Sequence, residues 1–296
     1  MPPPPGPLAR LLPPGGRRLH LQHGPVDVVV EAWGEPEEVG AAYRQAVAAF
    51  DGLLDGLVAE LPLLRRPVSG HRPEPEGPVA RRMVDAVWPH RRGVFVTPMA
   101  AVAGAVADQL LEAAVAGREL SRAYANDGGD IALHLTPGTS LTLGMVADVE
   151  HPRLDGTLVV NAADPVRGVA TSGRGGRSLS LGIANAVTVL ARDAAAADAA
   201  ATLIANAVDL AGHPAIGRVP ATEIDPDSDL GDLPVTVDVG ELTAEEVAAA
   251  LTAGAAEAER MRAGGLIEAA GLWLRGTFLA AGPLPGLAGG GTSAPD

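Results

Sequence analysis

Hydrophobic and polar positions first alternate in residues 20–33, which read "HLQHGPVDVVVEAW". Alternation on both sides of a Gly-Pro pair predicts two β-strands joined by a turn. Apolar residues then recur at helical spacing over 37–60 and over 99–116, and both segments are predicted to be helices. The Pro-rich segment 61–82 predicts a surface loop, because proline lacks a backbone donor and restricts its neighbour.

A series of short apolar runs follows, and each run predicts a strand. An alanine-rich helix is predicted over 192–208 and another helix over 243–262, whereas "LIEAAGLWLRG" fits either a helix or a strand. Strands in clusters with helices between them predict an α+β protein that has a mixed or antiparallel sheet with packed helices. The predicted strands are 122–125, 130–135, 140–149, 158–161, 168–170 and 186–190.

The two ends of the chain differ in composition from its middle. Residues 1–17 are rich in proline and residues 282–296 in glycine and proline, so we expect the first to be disordered and the second to be a flexible tail. The intervening segment, 18–281, is long enough to bury a substantial core. We therefore expect a single domain there.

Composition limits the chemistry that the chain can perform. It has no cysteine, and all 22 of its basic residues are arginine. The absence of cysteine excludes thiolate nucleophiles, disulfides and Cys-ligated metals. The absence of lysine excludes Schiff-base chemistry and a P-loop lysine. With 47% hydrophobic but only 3% aromatic residues, the core must consist mainly of alanine, valine and leucine.

The net charge of −14 argues against nucleic-acid and anionic-membrane partners, which require a basic surface. The N-terminus lacks the apolar segment of a signal peptide. Polar residues interrupt the most apolar stretch, 93–117, which makes it a poor membrane span. These features predict a cytoplasmic protein without a membrane anchor.

One acid and one hydroxyl stand out in the alanine-rich helix. Asp198 and Thr202 are four positions apart, so both side chains project from the same helix face. A carboxylate and a hydroxyl side by side offer hard oxygen ligands to a cation. The structural alternative for Asp198 is a helix cap, a role for which Asp193 is better placed in sequence.

The helix predicted at 99–116 begins with a sequence that could bind an anion. Thr97 is a natural N-cap and Pro98 suits the first helical position. Because the following residues are small, a phosphate could approach the backbone N–H groups near Met99 and Ala100. An ordinary capped helix that packs on a sheet explains the same residues.

A second candidate loop contains two adjacent glycines, Gly128 and Gly129, between predicted strands. A type I′ hairpin turn explains them, since it requires positive φ at both positions. The functional alternative is that the glycines let a planar ligand approach the backbone, with Asp127 or Asp130 as its hydrogen-bonding partner.

A third candidate, the serine loop, comprises residues 171–180, whose hydroxyl residues include Ser180. Its hydroxyls, glycines and guanidinium groups could form a phosphate cradle, although a mobile surface loop explains the composition equally well. The loop has neither a Walker A lysine nor a GxGxxG fingerprint. The candidate binding residues are Thr171, Ser172, Gly173, Arg174, Arg177 and Ser178.

Other familiar motifs are missing. The histidines show no zinc-ligand spacing, and no GxSxG nucleophile motif is present. The segment "DPDSDLGD" begins like a calcium loop, but Leu230 and Thr236 occupy positions where an EF-hand needs glycine and glutamate. We interpret it as a solvated acidic turn.

The order of "VTPMAAVAGAVAD", "NDGGDIAL", "GVATSG" and "ADAAAT" resembles the ApbE superfamily, whose characterised members are FAD:protein FMN transferases. The chain is most similar to an uncharacterised, thiamine biosynthesis ApbE-like branch with a PMAAVAG helix start, an NGGD turn and a TSSG-type serine loop. This resemblance covers most of residues 19–280 and implies an ApbE-like fold.

The resemblance implies roles for several residues. In the FMN transferases, the matching D-x-x-x-T motif binds magnesium beside the FAD pyrophosphate, which assigns Asp198 and Thr202 as Mg²⁺ ligands. A backbone carbonyl near Ala101 or Val102 completes this set by analogy. Two side-chain ligands agree with the chemistry of Mg²⁺, which keeps several positions for water and phosphate. Asp198 is also the candidate catalytic base.

The chain departs from the transferase pattern at several positions. Ala103 occupies the position of a family lysine, and the family segment His…DP-x-T-G is missing. The closer branch usually has histidine where Arg177 stands and aspartate where Asn185 stands. These changes remove candidate proton-transfer groups.

Two functions remain open from the sequence. The first is a Mg²⁺-dependent enzyme that binds FAD or a related nucleotide and acts at its pyrophosphate. The second is a non-transferring, ligand-binding or accessory protein, for which the resemblance to this branch implies a role near sulfide assimilation and homocysteine formation. Both imply a small-molecule nucleotide or flavin partner. The small-residue helix over 99–116 leaves homo-oligomer formation open.

Overall fold

The computed structural model describes residues 6–13, 15–147, 154–176, 178–284 and 288–289. The chain divides into two compact units where the sequence predicts a single domain over 18–281. The first unit contains residues 1–140, 161–170 and 191–199, and the second contains residues 141–160, 171–190 and 200–296.

Helices and strands are both abundant, which confirms the predicted α+β class. The helices are α1 (Pro36–Phe50), α2 (Leu53–Leu64), α3 (Pro78–Val87), α4 (Val102–Val115), α5 (Ala194–Ala207), α6 (Ala221–Ile224) and α7 (Ala244–Ala263). The strands are β1 (Leu8–Leu12), β2 (Arg18–His23), β3 (Val26–Gly34), β4 (Leu120–Asp127), β5 (Asp130–Leu135), β6 (Ser140–Met145), β7 (Gly156–Asn161), β8 (Gly168–Ser172), β9 (Ala186–Ala191), β10 (Ile216–Pro220), β11 (Pro234–Val239), β12 (Ala269–Leu274), β13 (Thr277–Ala281) and β14 (Ala288–Gly289).

The first unit is built on an antiparallel sheet in the order β1-β2-β3-β4-β5, with the start of β8 beside β5. The predicted strand pair is confirmed as β2 and β3. Val26, Val28 and Val30 are buried while Asp27 is exposed, as expected for a half-buried strand. Helix α4 packs against β4, β5 and α1, so its alanines and leucines form much of the core of this unit.

The second unit contains three sets of antiparallel strands. Strands β9, β12 and β13 are neighbours, β10 pairs with β11, and β7 lies between β6 and β14. The ambiguous stretch "LIEAAGLWLRG" contains strand β12, all of whose residues are buried. Burial on both faces removes the alternation by which a strand is usually recognised, which explains the ambiguity.

One helix prediction and one loop prediction were wrong in detail. The helix predicted over 37–60 is two helices, because Gly52 adopts a left-handed φ of 70° after α1 ends. The loop predicted over 61–82 contains the end of α2 and the start of α3. Pro78 lies at the N-terminus of α3 and Pro62 lies within α2. Proline is well tolerated at a helix start, so the proline content overstated the loop.

Five strands were missed: β1, β10, β11, β13 and β14, the last of which lies in the segment predicted to be a flexible tail. Strand β1 lies in the segment 1–17 that we predicted to be disordered, and it pairs with β2 although four of its five residues are exposed. Strands β10 and β11 form a hairpin across the acidic loop. Strand β10 has too few apolar residues to show a period, whereas β11, "PVTVDV", does alternate and its signal was overlooked. The end of the strand predicted at 140–149 and most of the predicted tail lie outside the described residues.

One stretch, Pro98–Val115, is apolar and long enough to satisfy the length and composition of a membrane span, and half of it is buried inside the protein. A core helix of a globular domain meets the same criteria. Its packing against β4 and β5 is that of a core helix.

Candidate functional site

Asp198 contacts the first turn of α4. Its carboxylate accepts a hydrogen bond of 3.0 Å from the backbone N–H of Gly104, and the N–H of Ala103 also contributes. Upstream of α4, Pro98–Ala101 forms a 3₁₀ turn, and the predicted Thr97 cap is confirmed because its hydroxyl accepts the N–H of Met99 at 3.2 Å. The alanine-rich helix therefore places its isolated acid at the predicted anion-binding helix start.

The reciprocal contact comes from Asp108 on α4. Its carboxylate accepts the backbone N–H groups of Ala194 and Ala195, at 3.0 and 2.9 Å, in the first turn of α5. The sequence had suggested Asp193 as the cap of this helix, and Asp193 does accept the N–H of Ala196 at 2.7 Å. Helices α4 and α5 thus exchange carboxylates, each to the first turn of the other.

This exchange requires a close approach of the two backbones. A Cβ atom on Gly104 would lie 2.3 Å from the carbonyl oxygen of Ala194, a distance that real side chains do not adopt. Gly168 is similarly restricted, since a Cβ there would lie 2.0 Å from the carbonyl of Asp193. Glycine at these two positions therefore lets the backbones of α4 and β8 lie close to the start of α5.

The electrostatic environment of Asp198 disfavours its charged form. Its pKa is raised to about 7, chiefly by burial and also by the negative charges of Asp127 and Asp108, although its hydrogen bonds from the backbone act in the opposite direction. Burial is also the main reason that the pKa of Asp108 is raised to about 6. A bound cation would offset this accumulation of negative charge.

Asp127 links Asp198 to the second predicted loop. It is buried at the end of β4, directly before the two glycines. Gly128 and Gly129 have φ values of 65° and 115°, and the N–H of Gly129 donates to the Asn126 side chain at 2.8 Å. The predicted hairpin turn is confirmed, with Asp130 opposite Asp127 in the strand register. A role for the glycines in ligand binding remains a prediction.

Asp198 and Thr202 on α5 are the residues predicted to bind magnesium. Thr202 follows Asp198 by one helical turn, and its hydroxyl has no hydrogen-bond partner among the residues that the structure describes. Those residues also contain no group of three or more His, Cys, Asp or Glu side chains that could hold a metal. One carboxylate and one hydroxyl match the few protein ligands that Mg²⁺ usually takes, and the surplus of negative charge favours a cation.

The serine loop belongs to the second unit. The hydroxyl of Thr171 lies 2.8 Å from that of Thr188, and the backbone N–H of Arg174 donates to Ala184 at 3.0 Å. A Cβ on Gly173 would lie 2.3 Å from the carbonyl oxygen of Asn185, so this glycine is required by packing. Close packing thus accounts for part of the loop without a ligand.

Two of the remaining polar groups of the serine loop are accessible. Ser178 is exposed and Ser172 is half-buried. Arg177 lies outside the described residues. The roles proposed for these side chains in phosphate binding therefore remain predictions.

The acidic segment forms a local turn, as expected. The Asp225 carboxylate accepts the N–H of Asp227 at 3.0 Å, and Thr222 donates to Asp232 at 2.9 Å. These hydrogen bonds stabilise the loop between α6 and β11.

Sequence reasoning missed Asp108 and gave Asp127 only an alternative role. Asp108 is one of two acids in the largely apolar helix α4, the other being the exposed Glu112, whereas Asp198 is the single acid of α5. The sequence signal for Asp108 is therefore weaker than the one for Asp198. The hydrogen bond between Asp108 and Ala194 joins residues 86 positions apart. The periodicity of a sequence carries no information about such contacts.

Comparison with known proteins gives a match of residues 9–280 to the family model described as "AbpE bacteria". Similar proteins include a UPF0280 protein of Methanosarcina acetivorans, 32% identical over 186 residues, which are 62% of this chain and 70% of that protein.

Two further UPF0280 proteins match over shorter regions. That of Methanothrix thermoacetophila is 40% identical over 44% of this chain and 52% of its own length. That of Methanothermobacter thermautotrophicus is 39% identical over 45% of this chain and 50% of its own length. The chain thus spans about half the length of these two relatives. Because the family model covers both units, from residue 9 to residue 280, the chain belongs to the AbpE bacteria family.

Proposed function

We propose that this protein is a Mg²⁺-dependent, flavin- or nucleotide-binding enzyme that acts at a pyrophosphate and resembles the FAD:protein FMN transferases. The observation that carries the proposal is the position of Asp198. Its carboxylate lies against the first turn of α4, and Thr202 offers a hydroxyl one turn further along the same helix. The match to the family model is a second, coarser support.

Asp198 and Thr202 would hold the magnesium ion, with a backbone carbonyl near Ala101 or Val102 as a third ligand. When bound, Mg²⁺ would neutralise charge on a pyrophosphate and so favour displacement at phosphorus. With its pKa near neutrality, Asp198 can lose its proton to bind the metal or accept one as a base.

Other residues of the chain would position the ligand. The Gly128–Gly129 turn, where a Cβ on Gly129 would meet no atom within 4 Å, would admit a ring system, with Asp130 as a hydrogen-bonding partner. Arg174 and Arg177 would bind phosphate through their guanidinium groups, which suit bidentate contacts. Thr97 and Ser178 would each supply a hydroxyl. The proposed partner is therefore a small-molecule nucleotide or flavin rather than nucleic acid or membrane.

The test is titration of the purified protein with FAD, with and without Mg²⁺, while release of AMP and FMN is followed. We expect Mg²⁺-dependent binding and AMP release in the wild type. Asp198→Asn should weaken Mg²⁺-dependent binding by about tenfold or more, and Thr202→Val should weaken it in the same direction. Asp193→Asn is the matched control, because it changes an acid that lies directly before the same helix and caps α5 locally.

Unchanged FAD affinity and Mg²⁺ dependence in Asp198→Asn would refute the proposal. Loss of binding in the control to the same extent would show that the effect is only structural.

The second candidate is an accessory protein that binds the ligand without transferring any part of it. The observation that favours it is Ala103, which stands at the position of the transferase lysine and offers Asp198 only its backbone N–H. Binding of FAD without AMP release would support this candidate. Copurification with a sulfide-handling enzyme would support the role near homocysteine formation that the resemblance suggests.

A further inference from the structure

Four contacts join α4 to the start of α5, and together they fix the position of this start against α4. Asp198 accepts from Gly104, Asp108 accepts from Ala194 and Ala195, and the backbone at Gly104 is in close contact with Ala194. Asp108 lies four residues after Gly104, and Asp198 lies four residues after Ala194. Each helix thus uses an acid one turn along to reach the start of the other.

Helix dipoles explain why both acids are needed. The N-terminal turn of a helix carries a partial positive charge of about half an elementary charge. Because the first turns of α4 and α5 meet at Gly104 and Ala194, two such ends approach each other. The carboxyl groups of Asp108 and Asp198 each accept hydrogen bonds from the N–H groups of one end. Removal of Asp108 would leave the start of α5 with uncompensated N–H groups beside the start of α4.

We infer that Asp108 is a positioning residue for Asp198: by capping α5 from α4, it sets the position at which the Asp198 carboxylate meets Gly104. This inference rests on the proposed function only in that Asp198 is taken as the metal ligand. Asp108 itself contacts neither metal nor substrate in this scheme. Its role is to hold α5 in register, as residues behind metal ligands commonly do.

Two acids, Asp193 and Asp108, cap the same helix, so their substitutions can be compared directly. Asp193 caps the Ala196 N–H of α5 from within the same segment, whereas Asp108 caps the Ala194 and Ala195 N–H groups from α4. Loss of either cap exposes backbone donors in the same turn, so both substitutions should destabilise α5. Only loss of Asp108 removes a contact between the two helices.

The first readout is hydrogen exchange of the Gly104 amide, measured in the full chain without metal. This amide donates to Asp198, so its exchange rate reports whether the carboxylate remains in place. We expect faster exchange at Gly104 in Asp108→Ala, little change there in Asp193→Ala, and partial recovery in Asp108→Asn, which keeps one acceptor oxygen. Equal exchange at Gly104 in the two alanine variants would overturn the inference.

The second readout is titration of the same variants with Mg²⁺ alone by calorimetry. We expect Asp108→Ala to weaken Mg²⁺ binding by about 10- to 100-fold, as loss of supporting residues does at other metal sites. Asp193→Ala should leave the affinity unchanged, and Asp108→Asn should restore part of it. Equal weakening by the two alanine variants would contradict the positioning role. A wild type without affinity for Mg²⁺ would contradict the proposed function, while Gly104 exchange would still decide the role of Asp108.

Discussion

At the scale of single residues, the environment separates side chains of the same type. Asp193 and Asp198 are five positions apart, yet Asp193 caps its own helix and Asp198 reaches another one. Gly104 and Gly56 both lie within helices, but a Cβ on Gly104 would meet the backbone of Ala194, whereas nothing lies within 4 Å of the same position on Gly56. Residue type therefore does not predict the effect of substitution at these sites.

Gly104→Ala and Gly56→Ala should change stability in opposite directions. The methyl group at 104 would lie 2.3 Å from a carbonyl oxygen, so α4 and α5 must separate, at a cost of about 2–4 kcal/mol. At 56 the added methyl group meets no atom, and the better helix propensity of alanine should stabilise the protein by about 0.5–1 kcal/mol. Urea denaturation of both variants measures the two values, and a neutral Gly104→Ala would refute the close contact.

The stability of Asp108→Asn should increase relative to that of the wild type as the pH rises. The pKa of Asp108 is raised from 3.8 to about 6, so the folded state binds its proton more tightly than the unfolded state. The associated stability is present below pH 4 and is lost as the pH rises through 6. The asparagine has no proton to lose, so the difference in unfolding free energy should shift by up to about 3 kcal/mol towards the variant between pH 4 and 7.

The measurement is denaturation of wild type and Asp108→Asn at a series of pH values in metal-free buffer. A difference that stays constant with pH would mean that burial does not raise the pKa of Asp108.

At the scale of elements, the sequence predicted the helices and turns that are determined by interactions between residues close together in the chain. The helix predicted at 243–262 is α7, and Thr243 forms a complete capping box with Glu246 at its start. The predicted hairpin at Gly128–Gly129 follows from the φ requirement of the turn. In contrast, the division of 37–60 into two helices depends on one glycine that adopts a left-handed φ, and a glycine in a helical pattern does not reveal which conformation it takes.

The capping box of α7 can be tested by Thr243→Ala. The Thr243 hydroxyl accepts the Glu246 N–H at 3.2 Å, and the Glu246 side chain accepts the Thr243 N–H at 2.8 Å. Loss of the hydroxyl should cost about 1 kcal/mol of unfolding free energy. The control is Thr252→Ala on the same helix, whose hydroxyl bonds back to Ala248 and should be nearly neutral. Equal effects of the two substitutions in thermal unfolding would contradict the cap.

The candidate site could be predicted only in part, because some of its contacts join residues that are far apart in sequence. Asp198, Thr202 and the Thr97 cap follow from spacing and residue type within single segments. The contact between Asp198 and Gly104 joins residues 94 positions apart, and the role of Asp108 depends on the same packing. Such contacts arise from tertiary structure, and the periodicity of either helix is the same with or without them.

At the scale of the whole molecule, the proposed cation would affect the stability of the folded chain as well as the candidate site. The net charge is −14, and Asp198 lies near two further carboxylates. A cation that binds only the folded state shifts the folding equilibrium towards that state. Metal binding should therefore be visible in unfolding experiments on the intact chain.

We expect Mg²⁺ to raise the melting temperature of the wild type but not of Asp198→Asn. At a Mg²⁺ concentration ten times the dissociation constant, the stabilisation should be about 1.4 kcal/mol. Comparison of each protein with and without Mg²⁺ cancels the effect of the substitution itself. An equal rise in both proteins would place the bound metal elsewhere.

The exchange of carboxylates between α4 and α5 also constrains when the site can form during synthesis. Gly104 leaves the ribosome 94 residues before Asp198, which at 5–20 residues per second is a delay of roughly 5–20 s. Throughout that interval the start of α4 has no partner acid. We therefore expect nascent chains that end before α5 to bind no Mg²⁺, so metal binding would mark completion of the chain through residue 202.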